Sequence, residues 1–421
     1  MKIHSSIEPA KWMKSDEITE ITNSLSEGGL PVRFVGGCVR DIISGINESS
    51  DIDIVTPHVP EKVIELLQNK KFKVNTVGIK HGTVSVISNF FSIQITTLRK
   101  DIINYGRRAL VEFTDDWTDD AYRRDFTINS IYLDSFGNLY NPVKGIEDLN
   151  SGVVRFIGDP EERIKEDFLR ILRFFRFIAF YSKKEPDRNS FEACSKYSSN
   201  LSDISKERIT HEFLKILSAN DPCFAISAMI STGVIQEIFP EATRPETLEV
   251  LVELEHSAGL EIDPILRLSA LLSANYKDNN KPVNSLFKKL IFTKKQISKI
   301  DFLQNCFIEL SPKTELIDIK KFIYFFGYNN FCDYLFLSWA RLGREGNLSS
   351  LIELAAKTNI EKFPLSRNDV KHYNELGAKQ IRIFLEKVED WWISNNFTPG
   401  RKDCLYYFDN LIKLAEKKKI N

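Results

Sequence analysis

The chain has 421 residues, 43 % of them apolar, which is enough for roughly two or three domains with cores of their own. A formal net charge of −1 excludes a polyanion binder that works by overall charge, so a nucleic-acid partner must meet local basic patches. Six cysteines (Cys38, Cys194, Cys223, Cys306, Cys332, Cys404) are scattered without clustered histidines, which argues against structural zinc and a disulfide framework, and no stretch approaches the ~18 apolar residues of a membrane span or forms a signal peptide. A cytoplasmic protein is expected.

In chain order, a helix is predicted over Ser15 to Glu27 with Ser15 as N-cap. The run Val32–Val35 reads as a strand that ends in Gly36-Gly37, where a helix-like segment begins. Asp51–Val55 is a second strand, and a helical pattern lies between Glu61 and Lys70. Thr83–Ser88 and Phe91–Thr97 form a hairpin, and Ser130–Leu133 is a further strand. Gly137-Asn138 and Asn141-Pro142 mark turns. The first ~150 residues therefore mix strands and helices. From Gly158 the periods are helical. Asp159-Pro160 has the chemistry of a helix start, and Ile164, Phe168, Ile171, Leu172, Phe175 and Ile178 keep one apolar stripe. Short polar links such as Asp278–Lys281 and Ser311-Pro312 separate the later helices.

Three constellations carry chemistry. Asp51 and Asp53 alternate with Ile52 and Ile54, so both carboxylates share one strand face, about 6–7 Å apart along it. Beside a turn this is either a solvated acidic pair or a site for two Mg²⁺ ions. The upstream Gly36-Gly37 turn, which lets backbone approach phosphates, brings the two readings level. Arg123-Arg124-Asp125 with Asn129 offers cations for phosphates and polar groups for a ribose, or is a surface arginine pair. Glu166, Asp167 and Arg170 are spaced to share a face of the helix opened by Asp159-Pro160. They form an intrahelical ion pair, or an acceptor and a donor fork that can read the Watson–Crick edge of cytosine or adenine. Arg173 and Arg176 continue the basic stripe.

Five ordered motifs, Gly36-Gly-Cys-Val-Arg-Asp41 with Asp51-Ile-Asp53, Gly78-Ile-Lys-His-Gly-Thr83, Arg123-Arg-Asp-Phe-Thr-Ile-Asn129, Gly158-Asp-Pro-Glu-Glu-Arg163 and Glu166-Asp-Phe-Leu-Arg170, resemble those of the class II tRNA nucleotidyltransferases and bacterial poly(A) polymerases. The resemblance covers residues 30–220 densely and continues weakly beyond, at Phe363-Pro-Leu and Trp391-Trp392. It implies an α+β fold: a polymerase-β-like nucleotidyltransferase head with a mixed sheet and flanking helices, followed by an all-α neck, body and tail. The implied domains are 1–154, 155–240 and 241–421. It also implies Mg²⁺ on Asp51 and Asp53, Gly36, Gly37 and Arg40 at the triphosphate, and Arg124 and Asp125 at the ribose. Asp167 and Arg170 would be an amino-acid template that accepts CTP or ATP, with Glu166 orienting Arg170, and tRNA would be the partner. Asn129 and Arg173 would support the site, and Ser205–Leu217 resembles the helix that supports the template.

Within the family, full CCA addition is expected, with A-adding, CC-adding and poly(A)-adding enzymes as alternatives. The Gly78–Thr83 run has the nucleotidyltransferase form, and Lys100–Phe113 looks like an intact flexible loop. Gln94 stands where relatives commonly carry a third carboxylate, which leaves a scaffold without catalysis as the reading from another class. Lys288-Lys289, Lys294-Lys295 and Lys417–Lys419 are either phosphate contacts or solvated helix faces, and Trp391-Trp392 reads as core.

Overall fold

The computed structural model describes the chain apart from residues 1, 106–107, 243, 273–280, 307, 309, 311–313, 344–347, 372, 374–376 and 421. The links at 278–280 and 311–312 thus lie outside the described residues, as do the Lys417–Lys419 side chains. The chain divides into two compact units, residues 1–249 with 262–300, and residues 250–261 with 301–421. No described helix is long and apolar enough to cross a membrane.

The first unit opens with β1 (Ser5–Ser6), α1 (Asp16–Leu25), β2 (Arg33–Val35), α2 (Gly37–Ile43), β3 (Asp51–Thr56) and α3 (Pro60–Asn69). Ser15 caps α1 as expected, its Oγ accepting from the Ile18 amide at 3.4 Å. Next come β4 (Val74–Asn75), β5 (Thr83–Ile87) and β6 (Ser92–Thr97). The last two pair antiparallel as the predicted hairpin, and Ser88 Oγ closes the turn by accepting from Phe90 and Phe91 amides, both at 3.1 Å. With β9 (Tyr132–Leu133) and β10 (Asn138–Tyr140) these strands form one eight-stranded mixed sheet in the order β1-β10-β9-β2-β3-β6-β5-β4, in which β3 and β6 run parallel.

One expectation fails here. The Lys100–Phe113 stretch read as a loop contains an antiparallel ribbon, β7 (Arg99–Tyr105) and β8 (Arg108–Phe113), with a register shift between Asp101 and Ile103. The β-branched Ile102, Ile103 and Val111 favour extended pairing, a signal obscured by the basic residues around them. Gly106 and Arg107 lie outside the described residues.

After β8, α4 (Trp117–Tyr122) is N-capped by Asp116, whose Oδ1 accepts from the Thr118 amide at 2.7 Å. Trp117 meets Tyr132 edge-on at 5.5 Å in a buried cluster with Val35, Val55 and Leu98, so α4 is pinned to the sheet. Then come α5 (Gly145–Ser151), α6 (Pro160–Glu166), α7 (Leu169–Tyr181), α8 (Arg188–Lys196), α9 (Lys206–Leu217), α10 (Cys223–Ser231) and α11 (Val234–Ile238). The single helix expected from Asp159-Pro160 onward is in fact two. Asp167 adopts an extended conformation (φ −157°, ψ 107°), and its Oδ1 accepts from the Leu169 amide at 3.1 Å to start α7. A local side-chain bond of this kind competes with helix continuation. Phe177 of α7 packs on Phe126 at 5.0 Å and Phe174 on Phe156 at 5.6 Å, which fixes α7 against the segment that follows the Arg-Arg-Asp motif.

The remaining helices are α12 (Pro245–Ala258), α13 (Pro264–Leu271), α14 (Lys281–Lys289), α15 (Lys294–Asn305), α16 (Leu316–Phe326), α17 (Tyr328–Arg341), α18 (Ser349–Ala356), α19 (Ala378–Ser394) and α20 (Arg401–Ile420). In the second unit Trp392 is buried among Val370, Val388, Cys404 and Phe408, with Phe363 at 5.5 Å. Trp391 is half-buried and stacks on Tyr407 at 4.4 Å. The tryptophan pair is core, as expected.

Candidate active site

The β2–turn–α2 segment sets the site. Gly36 turns the chain with φ 78° and ψ −134°, and a Cβ added there would lie 3.3 Å from Asp53 Oδ2. Only glycine satisfies both the positive φ and this approach. Asp53 sits opposite Val35 in β2 and opposite Gln94 in β6, so Gln94 occupies the neighbouring strand position beside it. Asp51 and Asp53 are both exposed on one face of β3, while Ile52 and Ile54 are buried. The sheet thus delivers the paired carboxylates that the alternation predicted. Although the face of β3 is open, the protein walls around Asp53 displace water and raise its carboxyl; Arg124 and Arg40 pull it down and Asp51 pushes it up, with a net rise.

A cavity of about 490 Å³ opens in front of this turn. It is lined by Gly36, Gly37, Arg40, Asp53, Arg124, Asp125, Asn129, Asp167, Arg170 and Arg173, all expected from sequence. Asp51 and Glu166 are not in the lining; Glu166 stands behind Arg170. Arg99, Arg123, Arg176, Arg208, Leu169 and Phe177 complete it. Eight arginines against three aspartates among these described residues make a site for a polyanion. The Gly78–Thr83 run, with His81, folds as a short turn at the head of β5 and does not line the cavity.

Each guanidinium is held by a partner. Arg40 donates to Asn129 Oδ1, and Asn129 Nδ2 donates to Asp125 Oδ1 at 2.6 Å. Asp125 Oδ2 accepts from Arg173 Nε at 2.7 Å. Burial opposes the charge on Asp125, but Arg173 and Asn129 outweigh it and hold the carboxyl well below the usual range. Arg176 pairs with buried Glu212 of α9 at 2.8 Å. Arg123 and Arg124 share buried Asp120 of α4.

At the helix break the pairing differs from the sequence expectation. Asp167 and Arg170 do not lie side by side on one helix. Asp167 Oδ2 accepts from Arg208 of α9 at 2.6 Å, and Arg170 donates to Glu166 and to the Arg163 carbonyl, the latter at 2.8 Å. Glu166 also takes Arg163 at 2.8 Å, whose other nitrogen reaches the Arg123 carbonyl at 2.9 Å. Glu166 therefore does hold Arg170, as the resemblance implied. Sequence reasoning missed Asp120 and Glu212. Asp120 had a signal in its spacing, three and four residues before Arg123 and Arg124 on a helix. Glu212 had none, because its partner Arg176 lies on another helix.

As to a metal, Asp51 and Asp53 provide hard carboxylate oxygens on one open face, with Gln94 adjacent, and this donor set suits a divalent cation that keeps part of its shell for phosphate and water. Among the described residues no group of three or more His, Cys, Asp or Glu gathers as a closed metal cage.

Known proteins share this architecture. Residues 32–155 match the family described as the poly(A) polymerase head domain, and residues 185–244 match the probable RNA and SrmB-binding site of polymerase A. The chain is 31 % identical over 381 residues to human CCA tRNA nucleotidyltransferase 1, mitochondrial, spanning 89 % of this chain and 86 % of that protein. It is 29 % identical over 416 residues to the CCA-adding enzyme of Ligilactobacillus salivarius, spanning 94 % and 96 % of the two chains. The structure of the Bacillus stearothermophilus CCA-adding enzyme in complex with CTP superposes with a TM-score of 0.72 at 22 % identity over 96 % of this chain and all of that one. The Thermotoga maritima enzyme complexed with tRNA gives 0.64 at 20 % identity over 98 % of this chain and all of that one. Read with the Gly-Gly turn, the aspartate pair and the arginine-lined cavity, the extended similarity to the human protein shows that the chain belongs to the CCA tRNA nucleotidyltransferase family.

Proposed function

We propose that the protein adds C, C and A to the 3′ end of tRNA, taking CTP twice and ATP once, without a nucleic-acid template. The observation that carries this reading is that one cavity gathers the Gly36–Gly37 turn, Asp53, the Arg124–Asp125 pair and the Asp167–Arg170 pair. The near full-length similarity to CCA-adding enzymes supports it.

Gly36, Gly37 and Arg40 take the triphosphate, with Arg124 beside them and not at the ribose, where the resemblance had put it. Asp125 and Asn129, ordered by Arg173, face the ribose. Arg170 and Asp167, each held by a partner of opposite charge, offer donors and an acceptor to the base edge. Asp51 and Asp53 would hold two Mg²⁺ ions, which would supply charge neutralisation and lower the pKa of the attacking hydroxyl. The 3′-hydroxyl oxygen attacks the α-phosphorus in line, the bond to the bridging oxygen breaks and pyrophosphate leaves. The arginines receive the charge that accumulates on the leaving group. We further assign residues 1–154 to the catalytic head, 155–240 to the neck and 241–421 to a tRNA-gripping body and tail. The six free thiols support a reducing, cytoplasmic location.

The test is incorporation of labelled CTP and ATP, separately and together, into a tRNA that lacks CCA, with Mg²⁺ present. CCA addition is expected, and Asp51→Ala abolishes it. No extension by the intact protein would sink the reading. Addition of only A, only CC or a long A tract would replace it with one of the alternative enzymes.

A further inference from the structure

Arg123 and Arg124 set an electrostatic problem. They are adjacent cations in one cavity, with side chains only 13 % and 17 % exposed. Two like charges withdrawn from water repel each other and will swing apart unless something pins them. Asp120 is that pin. Its side chain is fully buried on α4, so it cannot touch a substrate. Oδ1 accepts from Arg123 Nε at 2.8 Å, and Oδ2 accepts from Arg124 Nε and Nη2 at 3.1 and 2.9 Å. Oδ2 also accepts from the Tyr132 hydroxyl at 2.8 Å. The carboxylate itself is anchored to the sheet. Tyr132 belongs to β9, α4 is capped by Asp116, and Trp117 wedges α4 against the sheet beside Arg33, whose guanidinium lies 4.0 Å from the Trp117 ring and 3.6 Å from the Tyr140 ring. Burial alone would raise Asp120, but Arg124 and Arg123 outweigh it and keep the carboxyl at about 2, so the negative charge is present at neutral pH.

We propose that Asp120 is a positioning residue for nucleotide binding: it fixes Arg123 and Arg124 as a two-guanidinium fork for the phosphates of whichever nucleoside triphosphate occupies the cavity, without regard to its base. The inference rests on the nucleotidyltransferase reading above.

Calorimetric binding of CTP, ATP and inorganic pyrophosphate to the full-length protein tests it. Asp120→Asn is expected to weaken all three about tenfold or more, the size of a lost charged hydrogen-bond set, with the CTP-to-ATP ratio unchanged. Removing both guanidinia, Arg123→Gln with Arg124→Gln, should do the same or more, and adding Asp120→Asn to that double variant should cost no more than about threefold further, because Asp120 acts only through the two arginines. A folded Asp120→Asn protein that binds all three ligands like the parent would overturn the proposal, as would multiplicative losses in the triple variant. If Asp120→Asn fails to fold, Tyr132→Phe takes its place. It removes one donor and should cost a few-fold in pyrophosphate affinity in the parent and nothing in the double arginine variant, and unchanged affinity in the parent overturns the proposal. Nucleotide binding without CCA addition to tRNA would defeat the function proposed above and leave the role of Asp120 standing.

Discussion

Asp53 is held at a cost to stability. Its folded-state pKa is raised, by burial first, so ionisation is harder in the native protein than in the unfolded chain. The sign follows from linkage: stability falls as pH rises from the ordinary carboxylate value through the raised folded one. Asp53→Asn should therefore abolish incorporation yet raise the denaturant midpoint at neutral pH. Asp120 behaves oppositely. Its folded pKa of about 2 lies below the ordinary 3.8, so it lends stability that is complete above roughly pH 4 and is lost as pH falls towards 2. The parent should lose about 2 kcal/mol across that window through this group, and Asp120→Asn should not. Gln94 lies beside Asp53 in the parallel ladder of β3 and β6. Gln94→Glu adds a third hard carboxylate to that face and should lower the Mg²⁺ concentration for half-maximal incorporation several-fold, checked by titration of Mg²⁺ against rate.

Among the elements, the break between α6 and α7 is the one that matters for base choice. An unbroken helix would place Asp167 one turn from Arg170, where the two would neutralise each other. The extended residue at Asp167 instead turns its carboxylate to Arg208 and leaves Arg170 to Glu166. Both polar groups thus face the cavity from separate anchors. Arg208→Ala and Glu166→Gln, which touch opposite anchors, should each scramble CTP and ATP choice by about tenfold or more while leaving Mg²⁺ dependence unchanged, measured as misincorporation ratios. Asp167→Ala also removes the acceptor of the Leu169 amide at the start of α7, worth about 1 kcal/mol. The elements around Asp51–Asp53 were legible in the sequence because their signals are local: glycines at a turn, alternation in a strand, a capping serine. The break at Asp167 was not, because the apolar stripe runs through it, and the local bond to the Leu169 amide is joined by Arg208, 41 residues on, which holds the other carboxylate oxygen.

At the scale of the whole molecule, a net charge of −1 means that tRNA must be drawn by local cations. Lys294 and Lys295 are exposed at the start of α15, and Lys288 and Lys289 at the end of α14. If Lys294-Lys295 meets phosphates, the double alanine variant should reduce the slope of log affinity against log salt by roughly 2, and if they only solvate a helix the slope will not move. The sequence by itself determined the family motifs, the strand that pairs Asp51 with Asp53, the Gly-Gly approach and the division between a mixed head and helical remainder. Each of those depends on residues within a turn or a strand of one another. Only the tertiary structure decided which acid holds which distant arginine: Asp125 for Arg173, Glu212 for Arg176 and Asp167 for Arg208. A chain in which 27 % of residues are charged contains many alternative pairs, and the selection among them is made by which helix faces packing brings within reach of the cavity.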